Sequence, residues 1–136
     1  MTEAQALEAL AQRWVDVWPT LQPGAPYSFE GETSDAAPTW ARVTFRPLAE
    51  DQATLGRPAR FEHRGMIFVQ LFADLDQGRA PLDALVESVR EVFAARAIAV
   101  GSEEITTYAG PARSLPSDGR WLMAVMSIPY WFDEQR

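Results

Sequence analysis

The chain has one histidine, His63, and no cysteine, so acid–base chemistry near neutral pH would depend on a single imidazole. His63 lies between Glu62 and Arg64, directly before an apolar run. A general base needs a positioned nucleophile or acid beside it, and the sequence marks neither. We therefore interpret His63 as an exposed residue at the start of a strand. The alternative is a catalytic base in a deep pocket shared with an Asp or Glu.

The carboxylates also lack a pattern typical of catalysis or metal binding. Asp74, Asp76 and Asp83 do not have the spacing of a calcium loop, and they favour the start of a helix instead. Glu103 and Glu104 are adjacent, so in a strand they would point to opposite faces. No phosphate-binding, zinc-protease or nucleophile-elbow motif is present. The sequence therefore predicts no catalytic, metal or cofactor-binding residue and favours a protein that is not an enzyme.

Composition restricts the possible partners. The formal net charge is −7, and all 12 basic residues are arginines. An acidic chain is a poor match for nucleic acid. The first residues lack the basic and apolar regions of a signal peptide. No apolar run approaches the roughly 20 residues that span a bilayer. We expect a protein of the cytosol, or of something assembled there, with no membrane and no direct nucleic-acid partner.

Hydrophobic periodicity predicts six elements in one domain, residues 1–136. They are a helix over Thr2 to Trp18, strands over Trp40 to Pro47 and Arg64 to Phe72, a helix over Pro81 to Ala97, and strands over Glu103 to Leu115 and Arg120 to Phe132. Residues Leu48 to Arg60 read as a polar loop. The predicted fold class is α+β: an α-β-β-α-β-β chain with a four-stranded, mostly antiparallel sheet and two helices packed on one face.

Two of these strands are apolar on both faces. In the strand over Arg64 to Phe72, Met66 and Phe68 point one way while Ile67 and Val69 point the other, and the last strand repeats this pattern. Two helices cover only one face of a small sheet. The second face therefore needs a cover, either the long Pro- and Gly-rich segment before Trp40 or another protein.

Several short motifs resemble those of a known family. They are the strand motif Trp40-Ala41-Arg42-Val43-Thr44-Phe45, the run His63-Arg64-Gly65 before the apolar strand, and a last strand with Gly119-Arg120-Trp121, Val125, Pro129-Tyr130 and Phe132. With the intervening acidic link and helix, this pattern resembles the small tail-terminator-type proteins of long-tailed phages and prophages.

The resemblance implies a structural subunit, without cofactor, that forms a homo-oligomeric ring, commonly a hexamer. Such a ring caps the tail tube and contacts the head-side connector, so self, tube protein and connector would be the partners. The location would be the virion tail, after assembly in the host bacterial cytoplasm. Two alternatives stay open: another head–tail joining (neck) protein, and a small-molecule enzyme or ligand-binding domain of helix-plus-curved-sheet type that uses His63.

The residues themselves suggest where subunits would meet. Arg42 to Arg64 contains five arginines and three acids, a local excess of positive charge in an acidic chain. Opposite charge on a neighbour would complement that excess. We therefore predict that this region forms part of a subunit interface. The candidate interface residues are Trp40, Arg42, Arg46, Arg57, Arg60 and Arg64.

Overall fold

The computed structural model describes residues 1–29 and 38–136. Two helices and seven strands follow one another along this part of the chain. They are α1 (Glu3–Leu21), β1 (Tyr27–Phe29), β2 (Thr39–Gln52), β3 (Arg60–Asp74), α2 (Ala80–Phe93), β4 (Ala97–Val100), β5 (Glu103–Thr107), β6 (Ala112–Asp118) and β7 (Trp121–Gln135). A 3₁₀ turn, Leu75–Gln77, joins β3 to α2.

The seven strands form one mixed sheet that curls into a half-barrel. Its order is β1-β2-β3-β7-β5-β4, and β6 pairs with β7 beside β5. The β1–β2 pair is parallel and the others are antiparallel. β3 and β7 are paired along their whole length, from Arg60 opposite Gln135 to Asp74 opposite Trp121. These two long strands are the centre of the molecule, and the functional groups lie along them.

The predicted four-stranded sheet is wrong. The expected loop from Leu48 to Arg60 is partly strand, because β2 continues to Gln52 and β3 begins at Arg60. A register shift between Pro47 and Ala49 allows this continuation, since a bulge accommodates a proline that cannot donate a ladder hydrogen bond.

Three short strands account for the remaining difference. The expected strand from Glu103 to Leu115 is two strands, β5 and β6, which both pair with β7. β4 forms a tight hairpin with β5 through Gly101, whose positive φ of 65° suits glycine. β1 has only three residues. Strands this short carry too few residues for an alternation pattern to identify them.

The hydrophobic core lies between the helices and one sheet face, which we call the inner face. It contains the predicted stripe of α2, residues Leu82, Leu85, Val86, Val89, Val92 and Phe93, and the inner residues of β3 and β7, such as Val69 and Ile128. A capping box begins α1, since Thr2 and Gln5 exchange hydrogen bonds. The predicted end of this helix at Trp18 is wrong, because α1 continues through Pro19 to Leu21.

Within the described residues, neither helix is long and apolar enough to span a membrane.

Candidate docking face and buried histidine cluster

The outer face of the sheet, opposite the helices, is only partly covered. Along β7, inner residues such as Met126 and Ile128 are buried, while each alternate residue from Met123 to Asp133 remains half-exposed. β3 shows the same alternation at Met66 and Phe68. The second apolar face predicted from the sequence is therefore present, and it retains exposed apolar surface within the described structure.

An aromatic cluster closes one end of the outer face. Trp40 stacks on Phe72 with ring centroids 3.9 Å apart and planes 7° from parallel, and Trp121 meets both rings edge-on. The Arg42 guanidinium lies 5.3 Å from the Trp40 ring centroid, a cation–π distance. Trp40 is only 5% exposed. It therefore packs within the subunit, and Arg42 presents the accessible surface above it.

The predicted interface residues do not form one continuous patch. Arg42 and Arg46 lie four residues apart on β2 and share the outer face, with Arg46 5.8 Å from the Phe68 ring centroid. Arg57 lies in the turn between β2 and β3 and is exposed. Arg60 binds Glu62 and Asp133 within the chain. Arg64 is exposed, 3.7 Å from a Glu62 oxygen. Arg42 and Arg46 thus lie along β2, whereas Arg57 lies in the β2–β3 turn and Arg60 and Arg64 lie at the start of β3.

His63 is not exposed, so the interpretation of it as a solvent-facing residue is wrong. Its side chain is buried on the inner face, where its ring stacks on Phe132 with centroids 4.6 Å apart. Its Nε2 lies 2.8 Å from Oε1 of Glu134, a carboxylate that is itself 9% exposed. Cross-strand pairing explains this environment: His63 lies opposite Phe132 on β7 and opposite Glu50 on β2.

Four side chains form this cluster. Arg136 donates hydrogen bonds to Glu134, at 2.9 Å, and to Glu50. The pKa of the Glu134 carboxyl is lowered, chiefly because of the Arg136 hydrogen bond; burial opposes this shift, and the His63 hydrogen bond adds a smaller lowering contribution. A carboxylate oxygen 2.8 Å from Nε2 must accept, so Nε2 carries a proton. Nδ1 is buried and has no hydrogen-bond partner among the described residues.

This arrangement is better suited to holding strands together than to acid–base chemistry. A general base needs a free nitrogen facing a substrate, but Nε2 is engaged by Glu134 and Nδ1 is buried. Glu50, His63 and Glu134 present ligand atoms within 4.8 Å of one another, a spacing that a divalent cation could bridge. The guanidinium of Arg136 already supplies positive charge to both carboxylates. The cluster ties the β2–β3 hairpin to the end of β7.

A groove of about 600 Å³ crosses the outer face at the base of the same hairpin. Its lining residues are Leu48, Glu62, Arg64, Gly65, Met66, Tyr108, Pro129, Tyr130 and Trp131. Leu48 is 60% exposed and Tyr108 48%. A smaller, acidic recess of about 300 Å³ shares Trp131 with the groove and contains Glu103, Glu104 and Asp133. His63 lines neither of them. Sequence reasoning missed the groove because it assigned Leu48 to a loop and Tyr108 to a continuous strand.

Comparisons with known proteins identify the fold. No protein-family model matches the chain, and no curated protein matches it. Among solved structures, 28 chains match. One, named only by a sequence identifier, is 14% identical with a TM-score of 0.76, and the alignment covers 97% of this chain and 96% of that one. Another is a chain from the virion of a native gene transfer agent particle, 17% identical with a TM-score of 0.57, with 96% and 94% covered. At these identities the comparisons establish a shared fold.

Proposed function

We propose that the chain is a structural, non-enzymatic subunit of a phage-like virion. The observation that carries this proposal is the fold match to a chain of the gene transfer agent virion, which extends over 96% of this chain. The uncovered outer face supports it, because exposed apolar surface of this kind marks protein–protein contact sites. Partners on this account are other structural proteins of the particle, and the location is the particle itself.

More specifically, we propose a tail-terminator-like role. Copies of the chain contact one another head to tail and close a ring, since a heterologous contact closes when its rotation divides a full turn. The ring sits on the tail tube and meets the head-side connector. The motifs around Trp40, His63 and Trp121 that resemble the tail-terminator type support this role. A different neck position in the head–tail junction is the second candidate, supported by the same fold match.

Arg42 and Arg46 are the proposed contact residues of the outer face. Both guanidiniums lie above aromatic rings, which leaves their charge available to an acidic partner. Both lie on β2, where pairing with Gln70 and Met66 of β3 keeps their backbone fixed when a partner binds.

Deletion of the gene, followed by electron microscopy of particles, tests this function. The expected result is tails of uncontrolled length or tails that fail to join heads, with restoration by the wild-type gene. Complementation by Arg42→Glu/Arg46→Glu should fail. Arg90→Glu on exposed α2 is the matched control and should restore normal particles. Normal particles after deletion would contradict the proposal.

A further inference from the structure

The turn between β2 and β3 presents an apolar side chain directly to solvent. Leu55 is 94% exposed, the largest exposure among the exposed large apolar residues of the described chain. It is followed by Gly56, whose φ of 84° turns the backbone. We call residues 53–59 the hairpin tip.

The hairpin tip is held in place although it is exposed. The Ala53 amide donates to the Arg60 carbonyl at 2.7 Å, and the Arg60 amide donates to Thr54 Oγ1 at 2.7 Å. Ala59 exchanges two backbone hydrogen bonds with Arg136, at 2.7 and 2.9 Å. A segment fixed in this way loses little conformational freedom when it binds. Leu55 therefore has the properties of a preorganised apolar anchor.

The groove on the outer face has the complementary shape and chemistry. Leu48, Met66, Tyr108, Pro129 and Trp131 give it an apolar lining. Its volume of about 600 Å³ exceeds what one leucine fills, so it can admit Leu55 with its neighbouring backbone. Leu55 cannot be seated in the groove of its own chain, since it is 94% exposed.

The charge of the hairpin tip is opposite to that of the acidic recess beside the groove. Arg57 is the charged residue of the hairpin tip and has no ion-pair partner among the described residues. The acidic recess beside the groove contains Glu104, which likewise has no ion pair within the described structure. Thr106 lies opposite Trp131, so Glu104 is two residues from the groove along β5, just as Arg57 is two residues from Leu55. Along the extended strand β5, two residues cover about 7 Å.

We propose that the hairpin tip of one copy inserts Leu55 into the outer-face groove of a second copy and pairs Arg57 with Glu104 there. The hairpin tip and the groove lie on different parts of each subunit, so the contact is heterologous and can be repeated from copy to copy. This inference rests on the self-assembly in the proposed function, and it specifies the surfaces that meet.

Disulfide trapping tests the contact directly, because the chain has no cysteine of its own. A double variant, Leu55→Cys/Tyr108→Cys, should give a ladder of disulfide-linked species beyond the dimer on oxidation at high protein concentration. Leu55→Cys/Leu48→Cys is the second version, should the first variant not fold. The control is Leu75→Cys/Tyr108→Cys, since Leu75 is also exposed, at 42%, but lies outside the tip. A ladder absent from both test variants, or equal in the control, overturns the proposal.

Charge exchange gives an independent readout. Arg57→Glu and Glu104→Arg should each reduce the cross-linked fraction several-fold in the Leu55→Cys/Leu48→Cys background, and the two together should restore it. Lack of restoration overturns the Arg57–Glu104 pairing. Detection of the wild-type chain in purified particles is scored separately. Particles that contain the chain, without a ladder, reject this contact alone, whereas a ladder without incorporation rejects the proposed function.

Discussion

At the scale of single residues, the buried cluster around His63 shows what a sequence can and cannot predict. The histidine was visible, but its partner Glu134 lies 71 positions away and meets it only through the register of β3 with β7. No local pattern contains that register. The same limit applies to Trp40, which was predicted as an interface residue but whose stacking on Phe72 depends on pairing with β3.

Glu134 should make stability depend on pH in the acid range. Its folded-state pKa is lowered from an ordinary value of 4.5, so its contribution is present above that value and is lost as pH falls through the folded pKa. Glu134→Gln should reduce the free energy of unfolding at pH 7 by about 1–3 kcal/mol, the value of a hydrogen bond to a charged group. It should also flatten the decline below pH 4.5.

Urea denaturation from pH 7 to pH 2 measures both effects. Glu8→Gln on the exposed surface of α1 is the control and should keep the wild-type profile. An acid decline as steep in Glu134→Gln as in the wild type would contradict this account of the cluster.

At the scale of elements, the long amphipathic segments could be predicted from the sequence, whereas the short strands could not. α2 was predicted because its apolar residues recur through four turns, and all six predicted stripe residues are buried. β4 and β5 have only four and five residues, so their existence depends on pairing with neighbours. The second apolar face was predicted because both central strands carry apolar residues on both faces. The groove on that face needs the three-dimensional meeting of β3, β7 and Tyr108.

The α2 stripe should tolerate truncation poorly. Leu85 is 1% exposed, and Leu85→Ala should lower the free energy of unfolding by about 2–5 kcal/mol because it leaves a cavity. Val15→Ala, at a residue 38% exposed on α1, should cost much less. Thermal and urea unfolding compare the two variants. Equal costs would mean that α2 does not pack on the inner face as described.

Added side-chain volume between β3 and β7 should also destabilise the fold. A Cβ on Gly65 would lie 2.3 Å from the ring of Tyr130, so this buried ring would have to shift. Burial, together with the charge of Glu3, also raises the pKa of Tyr130 to about 12. Because of the clash with the Tyr130 ring, Gly65→Ala should lower the free energy of unfolding by about 1–3 kcal/mol.

The matched control for this position is Gly24→Ala, because nothing lies within 4 Å of a Cβ there. Differential scanning calorimetry should show a clear fall in Tm for Gly65→Ala and little change for Gly24→Ala. A Gly65→Ala variant as stable as the wild type would argue against the close packing of Tyr130 over β3.

At the scale of the whole molecule, the two faces of the curled sheet differ in how well they are covered. The inner face of the curled sheet is sealed by two helices, whereas the outer face keeps half-exposed apolar residues, arginines above aromatic rings and an open groove. A subunit of this shape gains by burying that face against other subunits, at about 25 cal/mol for each Å² removed from water. In the proposed function, those other subunits belong to a phage-like particle.

Quantitative mass spectrometry of purified particles tests this most directly. Particles from the organism that encodes the chain would be isolated on a density gradient and their proteins counted against the major tail protein. We predict that the chain co-purifies with intact particles in a small, fixed copy number, as one ring per particle requires. Absence from the particles, with the chain recovered in the soluble cell fraction, would contradict the claim that it is a virion structural protein.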